Sequence, residues 1–294
     1  MILGGRAALI TGASQGLGRE IAAAYLRAGA SVAICARDAA VLERTRSELA
    51  PLAGQGQELI ALPCNVASRE DVDRVVGAVL ARLPHLDILV NNAGVYGPKG
   101  AIEDNDWDAW VQAIEINLFG SVLMCRAIVP HLKQRGYGKI VQLSGGGATA
   151  PMPRVSSYAA SKAAVVRFAE TLAGELAAHK IDVNCIAPGA LNTQMLDEIL
   201  AAGAQTVGED LYRRLLKQKD SGGASLENAA ALAVMLATKD SDGISGRLIS
   251  AVWDPWRELP GHRDELASSD IYTLRRIIPA DRGKAWDPTS GGGK

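Results

Sequence analysis

The chain has 294 residues, of which 48% are apolar and 21% charged, enough for one large domain with a sizeable core, or a domain plus an appendage. A formal net charge of -1 leaves no basic surplus, so neither nucleic acid nor a membrane is expected as a partner. Cys35, Cys64, Cys125 and Cys185 are far apart and form no CxxC pair, so they read as buried small hydrophobes in a reducing compartment, and no metal site is expected.

The residues before Leu9 lack the charged start and long apolar segment of a signal peptide, and no apolar run reads as long enough to span a bilayer. The expectation is a cytoplasmic protein. From there, short apolar runs alternate with stretches of helical period. Strands are predicted at Ala7 to Ile10, Ser31 to Cys35, Glu58 to Leu62, Asp87 to Val90, Lys139 to Leu143, Asp182 to Ile186 and Arg247 to Val252. Helical patterns fill the intervals at Leu17 to Arg27, Ala39 to Leu49, Glu70 to Arg82, Trp107 to Gln134, Tyr158 to Ala178 and Leu226 to Ala237. This alternation predicts an α/β protein with a doubly wound parallel sheet, helices on both faces, and ligands beyond the carboxyl ends of the strands.

The first strand runs into Thr11-Gly12-Ala13-Ser14-Gln15-Gly16-Leu17-Gly18 and then a helix. Glycines let such a turn approach a pyrophosphate, and the helix start offers free N–H groups to the anion. The spacing is not that of the general GxGxxG fingerprint, and an unliganded tight turn is the competing reading. The second strand ends in Ala36-Arg37-Asp38, where the adenosine ribose would lie. Arg37 suits a 2′-phosphate, so NADP(H) is favoured over NAD(H), although Asp38 turned back on the ribose would favour NAD. The fourth strand ends in Asn91-Asn92-Ala93-Gly94, a polar turn on the adenine side that would read as an ordinary loop if it stood alone.

Tyr158 and Lys162 stand four apart at the start of an apolar helix and share one face. A neighbouring ammonium and an oxidised nicotinamide would both lower the tyrosine pKa towards the working range, which suits it to proton transfer.

Taken together, TGxxxGxG, NNAG and YxxxK, in this order and on these elements, resemble the short-chain dehydrogenase/reductase family over about residues 6 to 252. The resemblance implies a Rossmann-type seven-stranded sheet of order 3-2-1-4-5-6-7, hydride transfer between a nicotinamide and a carbonyl or alcohol, and a homodimer or homotetramer. It assigns acid/base chemistry to Tyr158 and nicotinamide-ribose binding to Lys162. Asn117 matches the helix asparagine that holds a relay water. By the same resemblance Asn65-Val66 matches an Asp-Val pair at the adenine. Asn91, Ala93 and Gly94 match the turn beside the adenine, and Pro188, Gly189, Leu191 and Thr193 the segment around the nicotinamide amide and phosphates. The family's substrate-binding serine lies thirteen residues before the tyrosine, and here that place is Gly145. Ser144 is the favoured substitute, with Thr149, Ser156 and Ser157 as alternatives.

Residues 1–253 are thus expected to form the catalytic domain, with a lid over about 195–220. Its apolar face would be Leu196, Ile199, Leu200, Leu211, Leu215 and Leu216, and Gly203 and Gly208 its hinge points. Residues 254–294 form an extension rich in Trp and Arg, ending in a flexible Thr289 to Lys294. That extension is expected to pack over a sheet edge or a neighbouring subunit, while its first part would wall the pocket for a polar cyclic or anionic substrate. A 3-oxoacyl-carrier-protein reductase is the rival within the class. A cofactor-binding regulator or scaffold is the rival outside it, and a nucleotide-sugar epimerase is disfavoured by the turn spacing.

Overall fold

The computed structural model describes residues 1–286; Thr289 to Lys294, expected to be flexible, lie outside the described residues. Seven parallel strands, β1 (Ala7–Thr11), β2 (Ser31–Ala36), β3 (Leu59–Pro63), β4 (Leu86–Asn91), β5 (Gly138–Leu143), β6 (Ile181–Ala187) and β7 (Leu248–Ser250), form one sheet of order β3-β2-β1-β4-β5-β6-β7. Every residue of β1, β2, β4 and β5 is buried, as continuous apolar runs require when helices cover both faces.

The helices are α1 (Gly16–Ala28), α2 (Ala39–Leu49), α3 (Arg69–Arg82), α4 (Trp107–Ile114), α5 (Gly120–Arg135), α6 (Ser156–Leu176), α7 (Gln194–Ala201), α8 (Gly203–Val207), α9 (Glu209–Asp220), α10 (Leu226–Leu236) and α11 (Arg263–Ala267). One core joins α1, α2 and α10 to the sheet through residues such as Ile21, Leu42 and Leu232. The opposite core joins α3, α5 and α6 through Val75, Ile128 and Val166.

Three departures from the sequence reading have physical causes. The single helix predicted from Trp107 to Gln134 is interrupted by a π-helical turn, Glu115–Phe119, which carries Asn117. Across this interruption Trp107–Arg135 is long and apolar enough to cross a bilayer by composition, with mean hydropathy 1.4, contrary to the reading that no run is. Met124, Cys125, Ile128 and Leu132 of this stretch are nevertheless buried against the sheet.

Strand β7 is three residues long, shorter than predicted, because the chain turns at Ala251. Ser250 N–H donates to Asp254 Oδ2 at 2.6 Å, and Ser250 Oγ accepts from the N–H groups of Val252 and Trp253 at 3.3 and 3.1 Å. These local bonds replace the ladder.

Beyond that turn the chain folds back along β7. Leu248 N–H donates to Tyr272 O at 2.8 Å, and the Arg247 guanidinium donates to the carbonyls of Ser269, Ile271 and Leu266. Leu274 N–H then reaches Glu170 Oε1 of α6 at 2.6 Å, and Trp256 is buried in the first core. The extension therefore covers the edge strand.

Candidate active site

The turns at the sheet's carboxyl edge open into one cavity of 1130 Å³, which runs from β2 and β3 across β1, β4 and β5 to β6 and β7. Its floor at β1 exists because two glycines remove side chains. A Cβ on Gly12, whose φ is +62°, would stand 2.7 Å from Ala93 Cα, and one on Gly18 would stand 2.5 Å from Gly12 O. Gly18 itself does not line the cavity; it lets α1 lie against the turn.

Helices α2, α3, α4 and α10 have side-chain caps from Asp38, Ser68, Asp106 and Ser225. Helix α1 has none, and its N-cap Gln15 is extended at the cavity wall beside Ser14, Gly16 and Leu17. Uncapped N–H groups at a positive dipole end, with Thr193 facing Gly16, fit the pyrophosphate of a dinucleotide.

At the adenosine end Arg37 is exposed and lines the cavity. Asp38 Oδ1 accepts from Ala40 and Val41 N–H groups, both at 2.9 Å, so this carboxylate is committed to capping α2. Asn65 and Val66 line the same end, with Asn65 Oδ1 taken by Ala67 N–H at 3.2 Å.

The two asparagines of the β4 turn divide their work. Asn91, expected beside the cofactor, is buried away from the cavity, its Nδ2 directed at Ser121 O and Cys125 Sγ. Strand alternation sends its neighbour the other way. Asn92 lines the cavity, donates from its backbone N–H to Thr11 Oγ1 at 3.0 Å, and donates from Nδ2 to Thr11 O and Gly12 O at 3.0 and 2.9 Å. It fastens the β4 turn to the glycine turn. Sequence reasoning passed over Asn92, although period-two alternation at a strand end separates two adjacent asparagines. Ala93 and Gly94 line the cavity beside it.

The reacting centre lies over β5. Tyr158 is 8% exposed and Lys162 is 5% exposed, on one face of α6, with Lys162 Nζ 5.7 Å from the centre of the Tyr158 ring. Lys162 Nζ donates to Leu143 O at 2.8 Å, and burial pushes its pKa down to about 8. Burial pushes the Tyr158 hydroxyl upward, with the nearby Tyr96 adding to the rise. The lowering expected from Lys162 is therefore outweighed by desolvation in the protein alone.

Asn117 sits behind this pair and does not line the cavity. Its Oδ1 accepts from Val95 N–H at 2.8 Å, and its Nδ2 donates to Val95 O and Ser161 Oγ, both at 2.9 Å. Its side chain thus clamps the loop after β4 onto α6, and its backbone carbonyl accepts from Ser121 Oγ at 3.1 Å.

Gly145 lies against the tyrosine itself, where an added Cβ would be 2.1 Å from Tyr158 Oη. Ser144 is 4% exposed, lines the cavity, and its Oγ has no hydrogen-bond partner among the described residues. Of the alternatives, Ser156 Oγ accepts from Trp110 Nε1 at 3.0 Å and Ser157 Oγ donates to Tyr96 O at 3.3 Å, so both are engaged away from the cavity. Thr149 lines it but is exposed.

Pro188, Gly189, Leu191 and Thr193 line the β6 side. The segment that follows forms α7, α8 and α9, with Gly203 (φ +77°) and Gly208 (φ +87°) at the breaks. Leu196, Ile199 and Leu215 pack with Val155 and Tyr158, while Leu216 is exposed rather than part of that face.

Residues 6–204 match the family profile described as short chain dehydrogenase. Dehydrogenase/reductase SDR family member 4 of Homo sapiens is 31% identical over 247 residues, covering 84% of this chain and 86% of that protein. A short chain dehydrogenase of Monascus purpureus is 31% identical over 281 residues, 93% of this chain and 89% of that one. Among solved structures, a variant of actinorhodin polyketide ketoreductase with NADPH is 28% identical with a TM-score of 0.75, covering 83% of this chain and 95% of that one. A short-chain type dehydrogenase/reductase from Mycobacterium marinum is 29% identical with a TM-score of 0.74, covering 84% and 94%.

Proposed function

This chain belongs to the short-chain dehydrogenase/reductase family of oxidoreductases, and from that premise we propose that it interconverts a carbonyl and a secondary alcohol on a small polar cyclic or sugar-like substrate, using NADP(H) in preference to NAD(H). The observation that carries the reading is the meeting of three groups at one cavity wall: the buried Tyr158 hydroxyl, the buried Lys162 ammonium on the same helical face, and the unpaired Ser144 hydroxyl.

A bound nicotinamide dinucleotide supplies or accepts the hydride. The chain's own residues do the rest. Tyr158 keeps its proton because burial disfavours the phenolate, so in the reductive direction its Oη donates that proton to the substrate oxygen. Ser144 Oγ donates a hydrogen bond to the same oxygen and stabilises its developing charge. Lys162 carries a positive charge below about pH 8, which holds the nicotinamide ribose and favours the tyrosinate once the proton has left. The α7–α9 segment packs over Tyr158 and excludes water. Arg37, exposed at the adenosine end while Asp38 is tied to α2, receives a 2′-phosphate.

A homodimer or homotetramer is supported by the outer side of the α4–α5 stretch, where Phe119 is 52% exposed and less than half of the most apolar window is buried. A cytoplasmic setting is supported by four buried free cysteines.

The test is to follow nicotinamide absorbance with NADPH or NADH over a panel of ketones. Turnover with NADPH, a lower Kd for NADPH than for NADH, and a loss of about 10²–10⁴-fold in kcat for Tyr158→Phe are the expected results. Tight NADPH binding with no turnover on any ketone would instead mark a cofactor-binding regulator.

A further inference from the structure

The strand order places Arg37, after β2, and the turn after β7 at opposite ends of the cavity. The β7 end carries two side chains with no part in the chemistry above. Trp253 lines the cavity yet is 85% exposed, and its indole makes no hydrogen bond or aromatic stack among the described residues. The backbone beneath it is firmly held, by the Ser250 and Asp254 bonds and by Gly189, whose missing Cβ would stand 2.6 Å from Val252 Cγ2. A large aromatic face is thus presented to a ligand cavity from a fixed turn, without being spent on the core.

Asp254 lies beside it. One carboxylate oxygen is oriented by Ser250 N–H, and Tyr272 of the extension packs within reach of its charge. The ionised or basic side chains lining the cavity are Arg37 and Asp38 at the adenosine end, Lys162 at the centre and Asp254 at the far end. None of the extension's arginines, expected to meet an anionic substrate, lines the cavity, and three of them are engaged elsewhere. Arg257 lies over Trp256 at 3.9 Å, Arg263 donates to Asp240 O at 2.7 Å, and Arg275 pairs with Asp281 and Asp270. An anion at the far end would therefore meet a carboxylate and no counter-ion among the described residues, whereas a hydroxyl or an ammonium there would meet an acceptor.

We infer that Trp253 and Asp254 select a ring ketone bearing hydroxyls over an anionic one, the indole face stacking on the ring and the carboxylate accepting from a ring hydroxyl. This rests on the carbonyl-reductase reading above and adds its specificity determinants.

Three ketones of one ring size test it with NADPH: 4-hydroxycyclohexanone, 4-oxocyclohexanecarboxylate and 4-aminocyclohexanone, with unsubstituted cyclohexanone as reference. The hydroxylated and ammonium rings should both exceed the carboxylate in kcat/KM, the hydroxylated one by about five- to tenfold, the factor for two like charges about 3–4 Å apart in a water-like dielectric. Asp254→Asn keeps an acceptor for Ser250 N–H but removes the charge, so it should bring that ratio close to one. Trp253→Ala should raise KM for 4-hydroxycyclohexanone by about three- to tenfold, with the NADPH Kd and the melting temperature unchanged. Equal or better use of the carboxylate ring, or a ratio untouched by Asp254→Asn, would overturn the inference while leaving the reductase reading intact. Failure of every ketone, cyclohexanone included, in a protein that binds NADPH would overturn both.

Discussion

Restoring the serine usual at position 145 should damage this enzyme. A Cβ on Gly145 stands 2.1 Å from Tyr158 Oη and 2.9 Å from its Cζ, whereas ordinary contact begins near 3.4 Å. The tyrosine hydroxyl must therefore retreat by about 1.3 Å, the difference between 3.4 and 2.1 Å. The ring has little room to do so: Tyr96 lies 4.5 Å from it centre to centre, and Val155 and Leu196 pack around it. A displacement of about 1 Å at a reacting group costs on the order of 10²-fold in rate. Gly145→Ser is expected to lower kcat by about 10²-fold, with NADPH affinity unchanged because the glycine turn and Arg37 are remote from the site. Steady-state ketone reduction and NADPH titration by fluorescence measure the two terms. A Gly145→Ser enzyme as fast as the parent, or faster, would refute the placement of Tyr158 against Gly145 and reopen the serine question.

Ser144→Ala removes a buried donor whose oxygen has no partner among the described residues, and should cost about 10²-fold in kcat with the fold intact by circular dichroism; full turnover would eliminate Ser144 from the chemistry. Lys162, with a pKa near 8, is protonated below that value and loses its charge above it, so kcat/KM for NADPH should be level at neutral pH and fall above about pH 8. Because an unfolded lysine keeps its proton to a higher pH, Lys162 disfavours the folded state most below about pH 8, and this penalty is relieved as pH rises further; a Lys162→Met variant should lose that pH-dependent part of its melting curve. Lys139, 1% exposed at the opposite end of the sheet, meets Asp182 at 2.6 Å and Asp242 at 2.7 Å; Lys139→Met strands a nearly buried carboxylate and should cost about 3–5 kcal/mol in urea unfolding, while a smaller loss would show Asp182 re-solvated.

What could be read from the chain alone was whatever repeats with a period. The seven strands and their helices announce themselves as apolar runs, and Tyr158 and Lys162 announce a shared face by their spacing. The motifs also supplied the strand order, by resemblance. Features that depend on who faces whom were not legible. Asn91 and Asn92 look equivalent in sequence, yet one is turned into the core and the other ties two turns together. The π-turn at Asn117 leaves the apolar pattern around it intact, so periodicity cannot register it. Lys139 reads as a polar residue at a strand start, and only the approach of Asp182 and Asp242 explains its burial. The arginines of the extension suggested an anion site by composition, and the fold sends Arg263 to a carbonyl and Arg275 to carboxylates instead.

The strip that lies along β7 also sets an order of events during synthesis. Its docking groove is created only when β7 has joined β6, because Arg247 and Leu248 supply the donors that hold it. Until then β7 presents an unpaired edge, the feature through which nascent chains zip onto one another. A chain that carries its own edge cover later in its sequence closes that window without a partner. With the sheet margin covered in this way, the proposed homo-oligomer would form through helical faces.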